Sequence, residues 1–167
     1  MNTPADLAAL LDSLETMPPD LHSAAVRLTA EAARTPPPEG GFSLVEQAWH
    51  LADLERDGYG ERIRRLLADD DPDLPDFDGA RVAAERNYRA KSLDGGISAF
   101  LAARTANLAL LRSVEGAAWD RAGRQEGVGR ITLRDVPRMM REHDDSHRAE
   151  IAALLAGHPI PRDSVSA

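Results

Sequence analysis

The chain of 167 residues is long enough for one domain and, with 43% apolar residues, for a real hydrophobic core. Its net charge of −8 repels phosphate backbones, so we expect no nucleic-acid partner, and no apolar run approaches the roughly 18 residues of a membrane span. The absence of cysteine excludes disulfides, thiolate metal sites and thiolate nucleophiles, so a metal would need His, Asp or Glu ligands and thiol chemistry would need a thiol substrate.

The first predicted helical stretch covers residues 4–33 and is interrupted once. Pro18 and Pro19 must break or kink it, because each proline removes a backbone hydrogen bond. Three prolines at 36–38, followed by two glycines, end the stretch. Residues 1–14 carry acidic residues and no basic cluster, unlike a secretory signal, so we expect a cytoplasmic protein.

The second stretch begins at Ser43 and runs to about residue 68. Ser43 and Glu46 fit a capping box, in which each residue bonds the backbone of the other. Residues 69–79 are acidic and contain two prolines, which predicts a loop, and a short helix is expected over residues 80–89. This long connection permits a crossover that leaves the second and third helices parallel.

Two further helices complete the predicted architecture. The third runs from residue 93 or 97 to 114, and an irregular connection follows over 116–129. The fourth starts near Thr132, or at Asp135 because Pro137 interrupts the pattern, and ends near Gly157. No alternating strand pattern is visible. We therefore predict an all-α four-helix bundle as a single domain over residues 1–157, with residues 158–167 as a C-terminal tail.

The fourth helix carries two histidines on its apolar face. At about 100° per residue, His143 and His147 fall inside the apolar stripe of that helix. Two imidazoles four residues apart on one face can bind a single metal ion. The alternative is that each ring packs in the core with its own hydrogen-bond partner, and the periodicity leaves both interpretations open.

His50 lies in the second helix, nearly opposite the main apolar stripe of that helix. It shares a polar line with Glu46, Asp53 and Asp57. Such a line is typical of a solvated helix face. The alternative is a metal ligand whose acidic neighbours line an open cavity.

Arg104 is the unusual residue of the third helix, because it falls among apolar positions. A guanidinium there needs a carboxylate partner, a substrate carboxylate or a place near a helix end from which it reaches solvent. We favour a structural ion pair over a substrate contact. His22 and His158 are predicted to be structural or surface residues, since one follows a proline break and the other a terminating glycine.

Three segments occur in a fairly specific order and spacing, namely His50-Leu-Ala-Asp53-Leu-Glu55, Gly129-Arg-Ile-Thr-Leu133 and His143-Asp-Asp-Ser-His147. Together they resemble the DinB-like superfamily of damage-inducible, metal-binding four-helix bundles, over residues 41–155. The resemblance implies an up-down-down-up bundle in which His50, His143 and His147 hold one divalent metal ion. Imidazole ligands suit several metals, and zinc or nickel is favoured.

The resemblance also implies a choice of functions. Relatives include thiol-dependent S-transferases and a maleylpyruvate isomerase, so the first expectation is a metal-dependent hydrolase or transferase using a low-molecular-weight thiol or another small substrate. In that case Asp53 or Glu46 would orient a ligand or carry a proton, and Arg104 would bind a substrate carboxylate. The alternatives are a non-catalytic metal-binding stress-response module, possible as a homodimer, and a purely structural bundle. An open site beside a polar cavity would favour the enzyme.

Overall fold

Long helices make up most of the protein in its computed structural model, which describes residues 4–157. Their bounds are α1 Pro4–Leu14, α2 Met17–Ala25, α3 Leu44–Asp53, a π-helical segment Leu54–Tyr59, α4 Gly60–Ala68, α5 Gly79–Glu85, α6 Leu93–Arg112 and α7 Val136–Gly157. The first bundle helix is α1 with α2, the second is α3 with the π segment and α4, the third is α6 and the fourth is α7. The predicted bundle is confirmed, whereas the predicted tail, with His158, lies outside the described residues.

Pro18 and Pro19 interrupt the first bundle helix as predicted. α1 ends at Leu14, and α2 begins at Met17 with both prolines in its first turn. The backbone N–H groups of a first turn have no partner within the helix, so proline costs no helical hydrogen bond there. The predicted extension to residue 33 is wrong, because α2 ends at Ala25 and only a 3-10 turn forms over residues 32–34. The chain turns there so that Ala33 packs into the core beside the start of α3.

The predicted capping box opens the second bundle helix. Glu46 Oε2 accepts a bond from the Ser43 backbone N–H at 3.0 Å, and Ser43 Oγ accepts one from the Glu46 N–H at 3.4 Å. One turn beyond His50 the helix widens into the π segment, where the Glu55 carbonyl accepts from the Gly60 N–H five residues on. Single π turns inside α-helices are frequent at functional sites.

Side-chain contacts fix the directions of the four bundle helices as up-down-down-up. The second and third run parallel, the fourth runs antiparallel to the second, and the first runs antiparallel to the third. The contacts are Trp49–Ser92 and Asn107–Glu55 for the second and third, Gln47–His147 and Tyr59–Met139 for the second and fourth, and Asp12–Arg112 and Leu14–Arg104 for the first and third. The crossover permitted by the sequence is therefore present.

The crossover over residues 69–92 covers one face of α3. It contains β1 Asp73–Leu74, α5 and a 3-10 turn over Tyr88–Ala90. The helix predicted over residues 80–89 is thus divided, because Asn87 adopts the left-handed conformation with φ 47° and ends the helical run. Tyr88 is 1% exposed and donates its hydroxyl to Asp53 at 2.6 Å, which fastens the crossover to α3.

A small three-stranded sheet replaces part of the predicted irregular connection. β2 Ala122–Gln125 and β3 Gly129–Thr132 form an antiparallel hairpin, and β1 pairs in parallel with β2. Strands of two to four residues are too short to show an alternating pattern, which is why the sequence did not reveal them. α7 then begins at Val136, in agreement with the later of the two predicted starts.

The core has two main clusters, one at each end of the bundle. One includes Leu14, Tyr59 and Met140, and the other includes Ala48, Phe100 and Ile151. Along α7, His143 and His147 therefore lie between the two apolar clusters. Among residues 4–157, no helix is long and apolar enough to cross a lipid bilayer.

Candidate metal centre

The three predicted ligand histidines come together between α3 and α7. One ring nitrogen from each of His50, His143 and His147 lies within 4.8 Å of the others. The Nε2 atoms of His50 and His143 are 3.3 Å apart, and the His143 and His147 ring centroids are 4.5 Å apart. The four-residue spacing on α7 places two of the rings one turn apart, as the sequence predicts.

His50 reaches this point although it projects away from the apolar stripe of α3. The crossover supplies Phe77, whose ring centroid is 6.0 Å from that of His50, and the loop before α3 supplies Phe42, whose ring centroid is 5.4 Å away. The backbone of Gly79 closes the remaining side, and a Cβ there would lie 2.5 Å from His50 Cε1. The solvated-face interpretation of this polar line is therefore wrong for His50, because tertiary packing covers it.

Gln47 is a site residue that the sequence analysis missed. Its Oε1 lies 3.0 Å from His147 Nδ1, and its Nε2 donates to the Phe42 carbonyl at 3.4 Å, which sets the orientation of the amide. Since an amide oxygen only accepts, Nδ1 of His147 carries the proton and Nε2 keeps its lone pair. The helical period could have indicated this residue, because Gln47 lies three residues before His50 and so on the same side of α3.

The environment keeps all three rings neutral. Burial, with a smaller contribution from His143, lowers the pKa of His50 to about 4. Burial, then the cations Arg104 and Arg62, lowers the pKa of His143 to about 4. Burial also lowers the pKa of His147 to about 3, with smaller effects of the other two histidines. At neutral pH each ring therefore offers a nitrogen lone pair.

These features fit a divalent metal ion. Three neutral imidazoles converge on one point, Gln47 fixes the tautomer of one of them, and among residues 4–157 no carboxylate joins this group of potential ligands. An all-nitrogen set of this kind suits zinc or nickel, and three protein ligands leave coordination positions open for a small molecule. His50 Nδ1 is buried without a hydrogen-bond partner, so packing against Gly79, Phe42 and Phe77, together with the contact of its Nε2 with His143 Nε2, orients this ring.

Asp53 and Glu46 are buried and already paired, which also contradicts the solvated-face interpretation. The Asp53 carboxylate accepts from Tyr88 at 2.6 Å and pairs with Arg56 and Arg86, both at 2.7 Å. Asp53 thus fastens the crossover. Asp53 affects the metal centre only through its charge, which raises the pKa of His50, and the lowering by burial is larger.

Glu46 closes the capping box and pairs with Arg89 at 2.8 Å. Unlike Asp53, it lines the cavity that opens onto the histidines. Burial by itself would raise the pKa of this carboxylate, but hydrogen bonds from Arg89 and Ser43 lower the pKa overall. Glu46 is therefore ionised, and Arg89 balances its charge in the cavity wall.

Arg104 makes a structural ion pair, the interpretation favoured from the sequence. It is 2% exposed, and its guanidinium forms a two-bonded pair with Asp144 at 2.7 and 2.9 Å. Nη1 also donates to the Leu14 carbonyl, and Nε lies 3.1 Å from Glu55. Arg104 is therefore bound within the bundle, and it is not among the residues that line the cavity beside the histidines.

A cavity of about 680 Å³ opens directly onto the metal centre. His50 and His147 form part of its wall. The charged side chains in the wall are Glu39, Glu46, Arg89 and Glu150. Glu150 lies one turn beyond His147 on α7, and its Oε2 is 3.5 Å from His147 Nδ1; burial raises the pKa of this carboxylate. The exposed His22 on α2 takes no part in the site.

Fold and site together define a metal-binding helical bundle whose ion would be held by three histidines beside an open cavity. By sequence, residues 13–151 match the family model of the DinB superfamily, and the chain belongs to that superfamily. This agrees with the resemblance noted from the three sequence segments.

Two individual proteins are similar to this chain over most of its length. A Geobacillus kaustophilus (strain HTA426) protein named "Putative metal-dependent hydrolase GK0616" is 25% identical over 143 residues, which is 85% of this chain and 80% of that protein. The solved structure of YfiT from Bacillus subtilis has a TM-score of 0.86 at 21% identity and covers 94% of this chain and 90% of its own. It is described as a probable metal-dependent hydrolase with an unusual four-helix bundle topology. This second likeness establishes the fold.

Proposed function

We propose that this protein is a metal-dependent enzyme that activates a small nucleophile, water or a low-molecular-weight thiol, for hydrolysis or group transfer. The observation that carries the proposal is the 680 Å³ cavity, which reaches His50 and His147. A closed structural metal site would have no reason to face such a space. The names of the two similar proteins support the hydrolytic form, and the absence of cysteine means that any thiol must arrive as a substrate.

Each residue has a defined part in this proposal. His50, His143 and His147 hold the ion, and Gln47 keeps His147 in the tautomer that binds through Nε2. A divalent ion held by these residues would lower the pKa of a bound water or thiol and would so supply an anionic nucleophile at neutral pH. Phe77 and Gly79 cover the side of His50 that faces the crossover, whereas Phe42 lines the cavity. We propose zinc or nickel as the ion.

Metal analysis of the untagged protein tests the centre itself. We expect one divalent ion per chain, lost in the His143→Ala/His147→Ala variant while helicity by circular dichroism stays near wild type, because the apolar clusters do not include the histidines. His22→Ala, which changes an exposed histidine outside the site, is the control and should retain the ion. Full metal content in the double variant would refute the centre.

Two assays separate the enzyme from the non-catalytic stress-response module. The metal-loaded protein is given an activated ester alone, or a small thiol together with an electrophilic acceptor. Turnover that disappears in the His143→Ala/His147→Ala variant supports the enzyme and identifies the nucleophile. Stoichiometric metal without turnover of either kind would favour the module.

A further inference from the structure

The charges in the wall of the cavity do not balance. Glu46 is neutralised by Arg89 at 2.8 Å, but Glu39 and Glu150 have no arginine or lysine within 4.0 Å among residues 4–157. The nearest ionisable partner of Glu150 is the neutral ring of His147, whose Nδ1 proton is already bonded to Gln47. Two carboxylates in this wall, both solvent-exposed, therefore lack a cationic partner in the part of the chain that the structure describes.

Position makes these two carboxylates relevant to a ligand. Glu150 projects from α7 one turn beyond His147, and Glu39 belongs to the loop that precedes α3. Both line the same cavity as the metal ligands, and a cavity walled by protein focuses the field of such charges on what enters it. A molecule bound there would meet the ion held by the three histidines at one end and carboxylates along the wall.

We propose that the substrate of this site carries two complementary groups, an electron-rich donor atom for the ion and an ammonium or similar cationic group for Glu39 and Glu150. The inference rests on the proposed function, because it takes the three histidines as a metal centre with open positions. It adds a substrate class, small aminated molecules such as aminothiols. With a bound divalent ion and two free carboxylates, the cavity is then neutral overall and matches a molecule of mixed charge.

The experiment compares three small thiols of similar size in the cobalt(II)-substituted protein. Cysteamine carries an ammonium group, 2-mercaptoethanol is neutral and 3-mercaptopropionate is anionic. The thiolate-to-cobalt absorption gives each Kd. We expect affinity to fall in that order. The ratio of the Kd values of two thiols is then compared between wild type and variant, because this comparison cancels differences in thiol acidity.

The variants are Glu150→Gln and Glu39→Gln, which keep the shape of each side chain and remove its charge. Each should reduce the preference for cysteamine over 2-mercaptoethanol by up to about fivefold, the upper end of the range for an exposed ion pair. Glu150→Lys should reverse the order in favour of 3-mercaptopropionate. Glu142→Gln, which changes an exposed carboxylate on α7 outside the cavity, is the matched control and should leave the ratios unchanged.

The outcomes separate this inference from the proposed function. If all three thiols bind without the expected order, or with an order that the variants do not change, thiol binding stands and the charge selection is refuted. If no thiol binds, the thiol form of the proposed function fails. Glycine hydroxamate and acetohydroxamate then replace the thiols, since hydroxamates bind such ions without a thiol. Tighter binding of the ammonium-bearing compound, lost in Glu150→Gln, supports the inference, and equal binding refutes it.

Discussion

At the scale of single residues, the metal centre depends on neighbours that bind no metal themselves. Gln47 is 1% exposed and holds His147 through Nδ1, whereas Nδ1 of His50 has no hydrogen-bond partner and packing holds that side of its ring. A histidine ligand that donates its second N–H to a fixed acceptor is held in one tautomer and one orientation. Glu46 and Asp53, the acidic residues singled out from the sequence, are occupied with other partners instead.

Removing the acceptor on Gln47 should weaken metal binding. We expect Gln47→Leu to reduce affinity for zinc by about tenfold or more, since loss of such a partner typically has an effect of that size. Gln47→Glu, which keeps an acceptor at the same place, should bind at least as tightly as wild type. Chelator competition gives both values. Equal affinity in Gln47→Leu and wild type would contradict the role of this residue.

The depressed histidine pKa values predict a pH dependence of stability in the metal-free protein. In the unfolded chain each histidine titrates near 6.5, whereas in the folded protein the values are about 4, 4 and 3 for His50, His143 and His147. Below pH 6.5 the unfolded state therefore binds protons that the folded state does not. The free energy of unfolding should be fully retained above that pH and should fall progressively towards pH 4.

Denaturant unfolding of the chelator-treated protein at pH 7, 6 and 5 measures this fall. A His143→Leu/His147→Leu variant should show a shallower decline, because only His50 of the three remains. Identical declines in the variant and wild type would show that other groups control the acid sensitivity.

At the scale of elements, the crossover decides what the polar side of α3 becomes. Tyr88 and Arg86 bond Asp53, Lys91 lies 4.0 Å from the Trp49 ring centroid, and Gly79 touches the His50 ring. These contacts convert a face that periodicity assigns to solvent into one wall of the metal centre. The length of the crossover also makes the second and third bundle helices parallel, so that α7 can lie across from His50.

The close approach of α5 to His50 gives a prediction of its own. In Gly79→Ala the new Cβ would lie 2.7 Å from His50 Nδ1, so the ring or α5 must move. We expect metal affinity to fall by about tenfold while the helical content stays unchanged. The control is Gly157→Ala, where a Cβ meets nothing within 4 Å. Isothermal titration with zinc measures both variants, and unchanged binding in Gly79→Ala would show that the site tolerates the shift.

At the scale of the whole molecule, the net negative charge disfavours polyanionic partners such as nucleic acids. The chain carries 28 acidic and 20 basic residues, and much of the arginine is paired with carboxylates on the surface, as in Arg112 with Asp12 and Glu15. We therefore expect this surface to have no general attraction to a polyanion.

We predict that the protein does not bind duplex DNA. Fluorescence anisotropy with a labelled duplex at 50 mM salt should show no complex at micromolar protein concentration, because phosphate contacts need unpaired cations. A sub-micromolar complex that weakens with added salt would contradict this. The His143→Ala/His147→Ala variant serves as a control for binding mediated by a metal ion.

The sequence by itself determined the helical architecture and the inward pair of histidines. Capping at Ser43, the proline break, the terminating glycine and the 3.6-residue period act locally, so each can be predicted from neighbouring residues. His143 and His147 share the apolar face of α7 for the same local reason. The segment resemblance added His50 and the order of the helices.

Only the tertiary structure decided the surroundings of that site. The exposure of the polar line on α3 depended on the crossover, which is distant in sequence and covers Glu46, His50 and Asp53 after folding. Gln47 contacts a residue 100 positions away, and β1 pairs with β2 between residues 73–74 and 124–125. The helical period shows which side of a helix is apolar. What packs against the other side depends on segments distant in sequence, such as the crossover, and a local pattern contains no information about them.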